Sequence, residues 1–413
     1  MKILLVTSSF AGGGITSYAH EFIRCFAQGN ELSVIIGDDS QNPIDKKLAS
    51  VYYYKAEDTS LKNAMTVAEL INKSIDPDVI INSNAVLMSL IAPYIKNNIR
   101  IISVSHSLRY DEADVAGCCS DYIDSIIALS TYGQKYIESN YGCKNKVHIV
   151  YNFVNDIPEL DQIRESKKKS KRIKIVFSGG TSAAKTPELV FKIMQHLAKL
   201  DLDFEFYFLG VHSPTLKSVQ PFKSIKELLP NDPRFILPGR VPHNQALALM
   251  NSANIFLCPS RREGCPMAML EAMRCGAIII TSDYDNACKE MIRDGVNGFV
   301  IPHNKINLFV DRIKDIINNN DSYGAMYENS YLNYTECFSF QPWKTQMEKI
   351  VNSSCLNHTH RFIEFSEKKF RKDLQILNRR FVYNKYHMLL FETLKSAGPF
   401  FCEYIKKKLK VNR

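Results

Sequence analysis

The chain has 413 residues, 45% hydrophobic and 23% charged, with a formal net charge of +9. That composition excludes a disordered chain, and the length suggests two to three domains at about 150 residues each. The apolar run after Lys2 is too short for a signal-peptide core, and no window reaches the roughly 18 apolar residues that span a bilayer, so a cytoplasmic protein is expected. In chain order, "KILLVTS" (2–8) reads as a strand. "ITSYAHEFIRCFAQ" (15–28) reads as a helix, with apolar residues at 15, 18, 19, 22, 23 and 26. Strands follow at 31–39, 77–84 and 99–106. "SIIALS" (125–130) leads into a helix and "NKVHIVYNFV" (145–154) closes the set. The polar, basic stretch 161–172 reads as a linker or an exposed helix start. The alternation then restarts, with strands at 173–180, 204–210, 234–239, 254–260, 277–282 and 298–302, and helices at 187–200 and 244–253. From 337 onward the sequence is helical.

Strands separated by helices predict βαβ units. The fold class is therefore α/β: two doubly wound, Rossmann-like domains with a cleft between them and a helical C-terminal extension. The expected boundaries are 1–160, 171–335, a closing helix at 336–352 and a tail at 353–413.

Three stretches carry the chemistry. "SSFAGGGITSY" (8–18) follows a strand and precedes a helix, so Gly12, Gly13 and Gly14 suit a turn that cradles a phosphate or another ligand. As a dinucleotide fingerprint it is incomplete, because Ser17 stands where a third Gly or Ala belongs. Asp38 and Asp39, ending the second strand, keep a dehydrogenase reading open beside a plain tight turn. "FSGGTSAAKTPE" (177–188) holds the same place in the second domain, with Lys185 ahead of a helix that begins at Pro187. Lys185 is either a point charge for a phosphate or a solvated surface lysine.

The third stretch is "PSRREGCPMAMLEAMRCG" (259–276). Pro266 suits the first turn of a helix, so Glu263 lies on the loop before it and Glu271 about five residues inside it. The free amides of Cys265, Met267 and Ala268 would lie between the two carboxylates. That spacing suits a sugar–diphosphate–ribose ligand: the diphosphate on the helix N-terminus and polyols on Glu263 and Glu271. The plain alternative has Glu263 as a cap and Glu271 as a surface residue.

These residues carry a family resemblance. "EGCPMAMLEAMRCG" with "KEMIRDGVNG" (289–298) resembles the donor-site signature of family-4 glycosyltransferases, a retaining group with the GT-B fold. Glu263, Gly264, Pro266, Leu270, Glu271, Ala272, Met273 and Gly276 match its first part; Glu290, Asp294, Gly295, Asn297 and Gly298 match its second. The resemblance covers roughly residues 1–350. It implies that Glu271 holds the ribose, Glu263 contacts the transferred sugar, amides after Gly264 hold the distal phosphate, and Lys185 binds phosphate. His106 would match the histidine that faces the donor sugar across the cleft. Glu263 and His106 are thus the candidate catalytic residues. Lys185, Gly264, Cys265, Pro266, Met267, Glu271 and Arg240 would form the donor site, and Gly12–Gly14 the acceptor side. There is one departure. Gly179-Gly180 stands where the family usually has Gly-Arg, with Arg240, Arg261 or Arg262 as substitutes.

The resemblance implies no cofactor and no metal, with a UDP- or GDP-sugar as donor. "DYD" (283–285) is a D-x-D string in the wrong architecture for a metal site. The eleven cysteines, an odd number without a C-x-x-C pair, read as reduced core residues without zinc. The expected partners are a nucleotide sugar and a glycan or lipid-linked acceptor. Residues 361–413 hold 14 basic and five acidic residues, a balance of +9 that equals the charge of the whole chain. With ten aromatics, that tail is either a solvated extension or a surface for an anionic membrane on the inner face of the cell. No motif points to nucleic acid. The expected function is sugar transfer in surface polysaccharide or lipopolysaccharide assembly. The rivals are an epimerase or hydrolase of the same fold and a non-enzymatic binding subunit.

Overall fold

The structure is a computed structural model and describes residues 1–8, 14–40, 43–106, 110–157, 160–168, 172–179, 183–210, 231–239, 241–284, 286–353 and 364–378. The first unit holds strands β1 (Lys2–Thr7), β2 (Glu31–Ile36), β3 (Ser50–Tyr53), β4 (Val79–Ser83), β5 (Arg100–Ser105), β6 (Ser125–Ala128) and β7 (Val147–Ile149). They form one sheet in the order β3-β2-β1-β4-β5-β6-β7. The second unit holds β8 (Ile173–Ser178), β9 (Phe204–Leu209), β10 (Phe235–Gly239), β11 (Ile255–Cys258), β12 (Ile278–Ser282) and β13 (Gly298–Ile301). Their order is β10-β9-β8-β11-β12-β13.

Every strand pairing is parallel. Both orders reverse direction after the first strand of the unit, which is the Rossmann arrangement. The chemistry of the strands explains the parallel sheets. β4 and β5 are buried along their whole length, so they read as continuous apolar runs rather than as alternations. Register brings the strand C-termini to one edge: Thr7 lies beside Ser83, and Ser105 beside Ala128. Ligands bind at that edge in open parallel sheets.

One local feature differs from the sequence reading: the short edge strand β3, "SVYY", is only part-buried and gave no apolar run to detect. The basic stretch after residue 160 takes the helical one of its two readings, as the helix Leu160–Lys168. Arg164 forks onto both carboxylate oxygens of Glu328 at 2.7 Å, and Lys167 Nζ donates to the Cys275 carbonyl at 2.8 Å.

After the second sheet the chain returns to the first unit. The Tyr334 hydroxyl donates to the Val154 carbonyl at 2.8 Å, and the Val154 amide donates to the Phe338 carbonyl at 3.3 Å. The helix Phe340–Val351 then lays Trp343, 1% exposed, against Phe153, Phe26 and Tyr18 at ring separations of 4.5, 6.3 and 6.0 Å. Arg100 ends this helix by donating to the carbonyls of Ile350 and Val351. Of the tail, residues 367–378 form a helix on the first unit. Phe370 and Leu377 enter its core and Phe365 stacks on Tyr94 at 4.1 Å. The rest of the basic tail, with the stretch 381–396, lies outside the described residues. Among the described residues no helix is long and apolar enough to cross a membrane.

Candidate functional site

β11 ends at Cys258, and the loop after it feeds the helix Met267–Arg274. Pro266 is the residue before the helix, with φ −75° and ψ 108°, so the helix starts one residue later than the sequence predicts. The amides of Met267 and Ala268 open its first turn, where no intrahelical acceptor exists. The helix stops at Gly276, whose φ of +72° is easy only for glycine. A Cβ there would also meet the Tyr327 carbonyl at 2.9 Å.

The loop is tied down along its length. Asn286 Nδ2 donates to the Ser260 carbonyl at 2.7 Å, the Ala287 amide to the Glu263 carbonyl at 3.3 Å, and the Arg261 amide to the Ala184 carbonyl at 2.8 Å. Beneath it, the thiols of Cys258 and Cys288 stand 3.5 Å apart. The structure brings together Lys185 and Glu263, which sequence places 78 positions apart. Lys185 Nζ forms an ion pair and hydrogen bond with the Glu263 carboxylate, and Glu263 is 9% exposed. Burial opposes the charge on Lys185, but the adjoining carboxylate outweighs it and holds the amine above its ordinary pKa.

Glu271, 7% exposed, sits on the same helix. Burial pushes its pKa up to about 7, and Arg274 opposes this. Arg274 itself bonds the Asn155 carbonyl and Asn251. Cys265, also in this loop, is held at about 12 by burial, so its thiol is protonated and unsuited to be a nucleophile.

His106 follows β5 in the first unit. Its Nε2 is 2.8 Å from Ser83 Oγ, and its ring meets Tyr18 edge-on at 4.8 Å. Burial lowers its pKa to about 4, so the imidazole is neutral at pH 7. Gly14 begins the helix Gly14–Phe26, and a Cβ on it would lie 3.8 Å from Met267 Cγ. The N-termini of two helices, one from each unit, therefore meet across the cleft. Both present positive dipole ends to the same space.

Several sequence candidates stay outside the described residues: Gly12, Gly13, Gly180, Arg240 and Asp285. Of the substitute arginines, Arg261 is committed elsewhere, 3.9 Å from Glu188 and over the Tyr284 ring. Asp283 accepts from the His303 amide at 2.9 Å and pairs with its Nδ1 at 2.8 Å. Among the described residues no cluster suits a metal ion. A surface cavity of about 390 Å³, walled by Phe299, Arg312 and Asp315, holds none of these groups.

Sequence reasoning missed two residues that touch the site. Ser83 aligns the His106 ring, and its place at a strand end was the available signal. Thr131 receives Glu290, a signature residue to which the sequence assigned no role; both Glu290 oxygens lie 3.0 Å from the Thr131 amide.

Residues 158–333 match the family model of glycosyl transferases group 1, and residues 12–156 that of Glycosyltransferase Family 4. An uncharacterised glycosyltransferase of Methanocaldococcus jannaschii is 27% identical over 240 residues, 55% of this chain and 59% of that protein. This chain thus spans 59% of the length of that relative. An uncharacterised glycosyltransferase of Haemophilus influenzae is 23% identical over 74% of this chain and 86% of its own length. The putative colanic acid biosynthesis glycosyltransferase WcaL of Salmonella typhimurium is 29% identical over 19% of this chain and 21% of its own. In fold, the chain resembles Anabaena HepE, solved with UDP and glucose, with a TM-score of 0.68, 16% identity, and coverage of 86% of this chain and 100% of that one. It also resembles the lipopolysaccharide outer core galactosyltransferase WaaB, with a TM-score of 0.63, 19% identity, and coverage of 85% and 99%.

Proposed function

We propose, for a chain that belongs to the glycosyltransferases of group 1 with a Family 4 amino-terminal half, that it moves a hexose from a nucleoside-diphosphate donor to a hydroxyl acceptor with retention at the anomeric carbon. The observation that carries this reading is the Lys185–Glu263 pair at the N-terminus of the helix that bears Glu271. An anion, a sugar and a ribose each have a partner there. Anabaena HepE has been solved with UDP-glucose, so UDP-hexoses are the first donors to try.

The roles follow from the charges. The helix amides and Lys185 stabilise the leaving diphosphate. Glu263 accepts from sugar hydroxyls and faces the positive charge that grows on the ring. Glu271 accepts from the ribose hydroxyls. His106, neutral and fixed by Ser83, offers a hydrogen bond rather than a charge. No side chain here is placed as a covalent nucleophile. In the front-face route, the acceptor oxygen bonds to the anomeric carbon as the bond to the diphosphate oxygen breaks, and the acceptor proton passes to that departing oxygen.

The acceptor would approach along the first unit, near Gly14 and His106. The likeness to WcaL, a putative colanic acid biosynthesis glycosyltransferase, and to WaaB, a lipopolysaccharide outer core galactosyltransferase, supports surface polysaccharide or lipopolysaccharide assembly as the setting. The basic residues of the helix 367–378 on the first unit, with the basic composition of the tail, support peripheral contact with an anionic membrane. A panel of UDP-, GDP- and ADP-sugars in thermal-shift and turnover assays tests the reading. Donor-dependent stabilisation and slow donor loss without acceptor support transfer. Rapid donor conversion without acceptor identifies an epimerase or hydrolase instead. No stabilisation by any donor points to the binding subunit, which Gly180 in place of arginine favours.

A further inference from the structure

Glu290 matches the signature string at 289–298, yet the donor site described above makes no use of it. It lies on the short helix Ala287–Met291 of the second unit. Both of its carboxylate oxygens accept from the Thr131 amide at 3.0 Å, and one also accepts from the Thr131 hydroxyl. Thr131 is the first residue of the helix Thr131–Tyr141, in the first unit. That helix caps itself as well: Ser130 Oγ accepts from the Gly133 amide at 3.1 Å. Glu290 supplies a second, external cap to the same free amides, where a negative charge is favourable.

The residues around Glu290 tie this contact to the site. Ala287, one turn earlier, donates to the Glu263 carbonyl at 3.3 Å, and Asn286 holds the Ser260 carbonyl at 2.7 Å. One five-residue helix therefore touches the Glu263 loop at one end and the first unit at the other. Other bonds of the second unit, from Arg274 to Asn155 and from Tyr334 to Val154, run to the segment that connects the units. They hold whichever way the units lean. The Glu290–Thr131 bond joins one body to the other and exists when the two are closed together.

We propose that Glu290 is a positioning residue: it latches the two units closed and sets the wall bearing Glu263 against the wall bearing His106. The kinetic part of this inference rests on the transfer reading; the latch itself does not.

The test compares wild-type protein with Glu290→Gln, Glu290→Ala and Thr131→Pro. Proline is accepted at the first position of a helix and has no amide to donate, so Thr131→Pro removes the amide and hydroxyl that Glu290 caps while keeping the helix and the separate Tyr151 bond to Glu290. Small-angle scattering without ligand should give a larger radius of gyration for Glu290→Ala and Thr131→Pro, with no further increase in the double variant. Glu290→Gln, which keeps the shape, should be intermediate. With UDP-glucose as probe, affinity by calorimetry should fall less than about threefold, while turnover falls roughly tenfold or more. Matching circular dichroism and melting temperature identify the variants fit for comparison, and if Thr131→Pro fails to fold, Glu290→Gln carries it. Identical scattering for wild-type and variant proteins overturns the latch, whether or not transfer is detected. Altered scattering with an undiminished turnover overturns its positioning role.

Discussion

Lys185 and Glu263 neutralise each other in the free protein. A lysine suited to a diphosphate and a carboxylate suited to a sugar are paired across the mouth of the Met267–Arg274 helix. The pair keeps two part-desolvated charges satisfied.

Removing one member leaves the other without its counter-charge. Lys185→Ala should lower stability by about 1–3 kcal/mol and weaken UDP-glucose binding by roughly tenfold or more. Glu263→Gln should keep binding within a few-fold and lower turnover. Chemical unfolding and calorimetry read the first pair of effects, and steady-state kinetics the last. Equal loss of binding in both variants would refute the division of roles.

Glu271 gives the site a pH dependence. Its pKa is raised to about 7 in the folded protein, and in the proposed role the ribose hydroxyls would donate to the charged form. Donor affinity should therefore rise as pH climbs through 7. UDP-glucose is the proper probe, since its diphosphate does not titrate there. Calorimetry across pH 6 to 8 should show rising affinity for the wild type and a flat, weaker profile for Glu271→Gln. A flat wild-type profile would remove the ribose assignment.

His106 makes a stability prediction from a pKa shift of opposite direction. Its folded pKa of about 4 lies below its unfolded value near 6.5, so the unfolded chain takes up the proton first. The stability this group contributes is present above pH 6.5 and is lost as pH falls towards 4. At pH 5 the loss should be about 2 kcal/mol. His106→Gln should lack that part of the acid limb in unfolding titrations. Parallel pH curves for the two proteins would contradict a buried, neutral imidazole.

The tail helix makes a prediction about surfaces. Lys368, Arg371 and Lys372 are exposed along residues 367–378, while Phe370 and Leu377 are buried in the first unit. Basic residues near an anionic bilayer contribute about 1 kcal/mol each. Reversing all three charges to Glu should reduce co-sedimentation with phosphatidylglycerol-containing vesicles at least tenfold, and added salt should do the same. Equal sedimentation with neutral phosphatidylcholine vesicles would show that these charges do not bind the surface.

The parallel sheets were legible in the sequence because most of their strands are largely apolar and alternate with helices. β3 was hidden because an edge strand that is part-exposed has no such run. Glu263 and Glu271 were legible because Gly264 and Pro266 mark a helix start between them. The partnership of Lys185 with Glu263 was not, since it joins two loops brought close by the order of β8 and β11. Thr131 was invisible for the same reason, and Ser83 offered only its place at a strand end. Each gains its role from a neighbour on another strand or in another unit, and local pattern carries no record of such a neighbour.

Two chain crossings, not one, join the halves of the molecule: the segment through Val154 on the way out and the segment through Phe338 on the way back. They are bonded to each other, Val154 amide to Phe338 carbonyl. A body tethered at a single point swivels about any axis. One tethered by two adjacent strands resists both twist and sideways sway, and rotates freely about one line alone. The return of the chain into the first unit thus ties the halves together at two adjacent points rather than one.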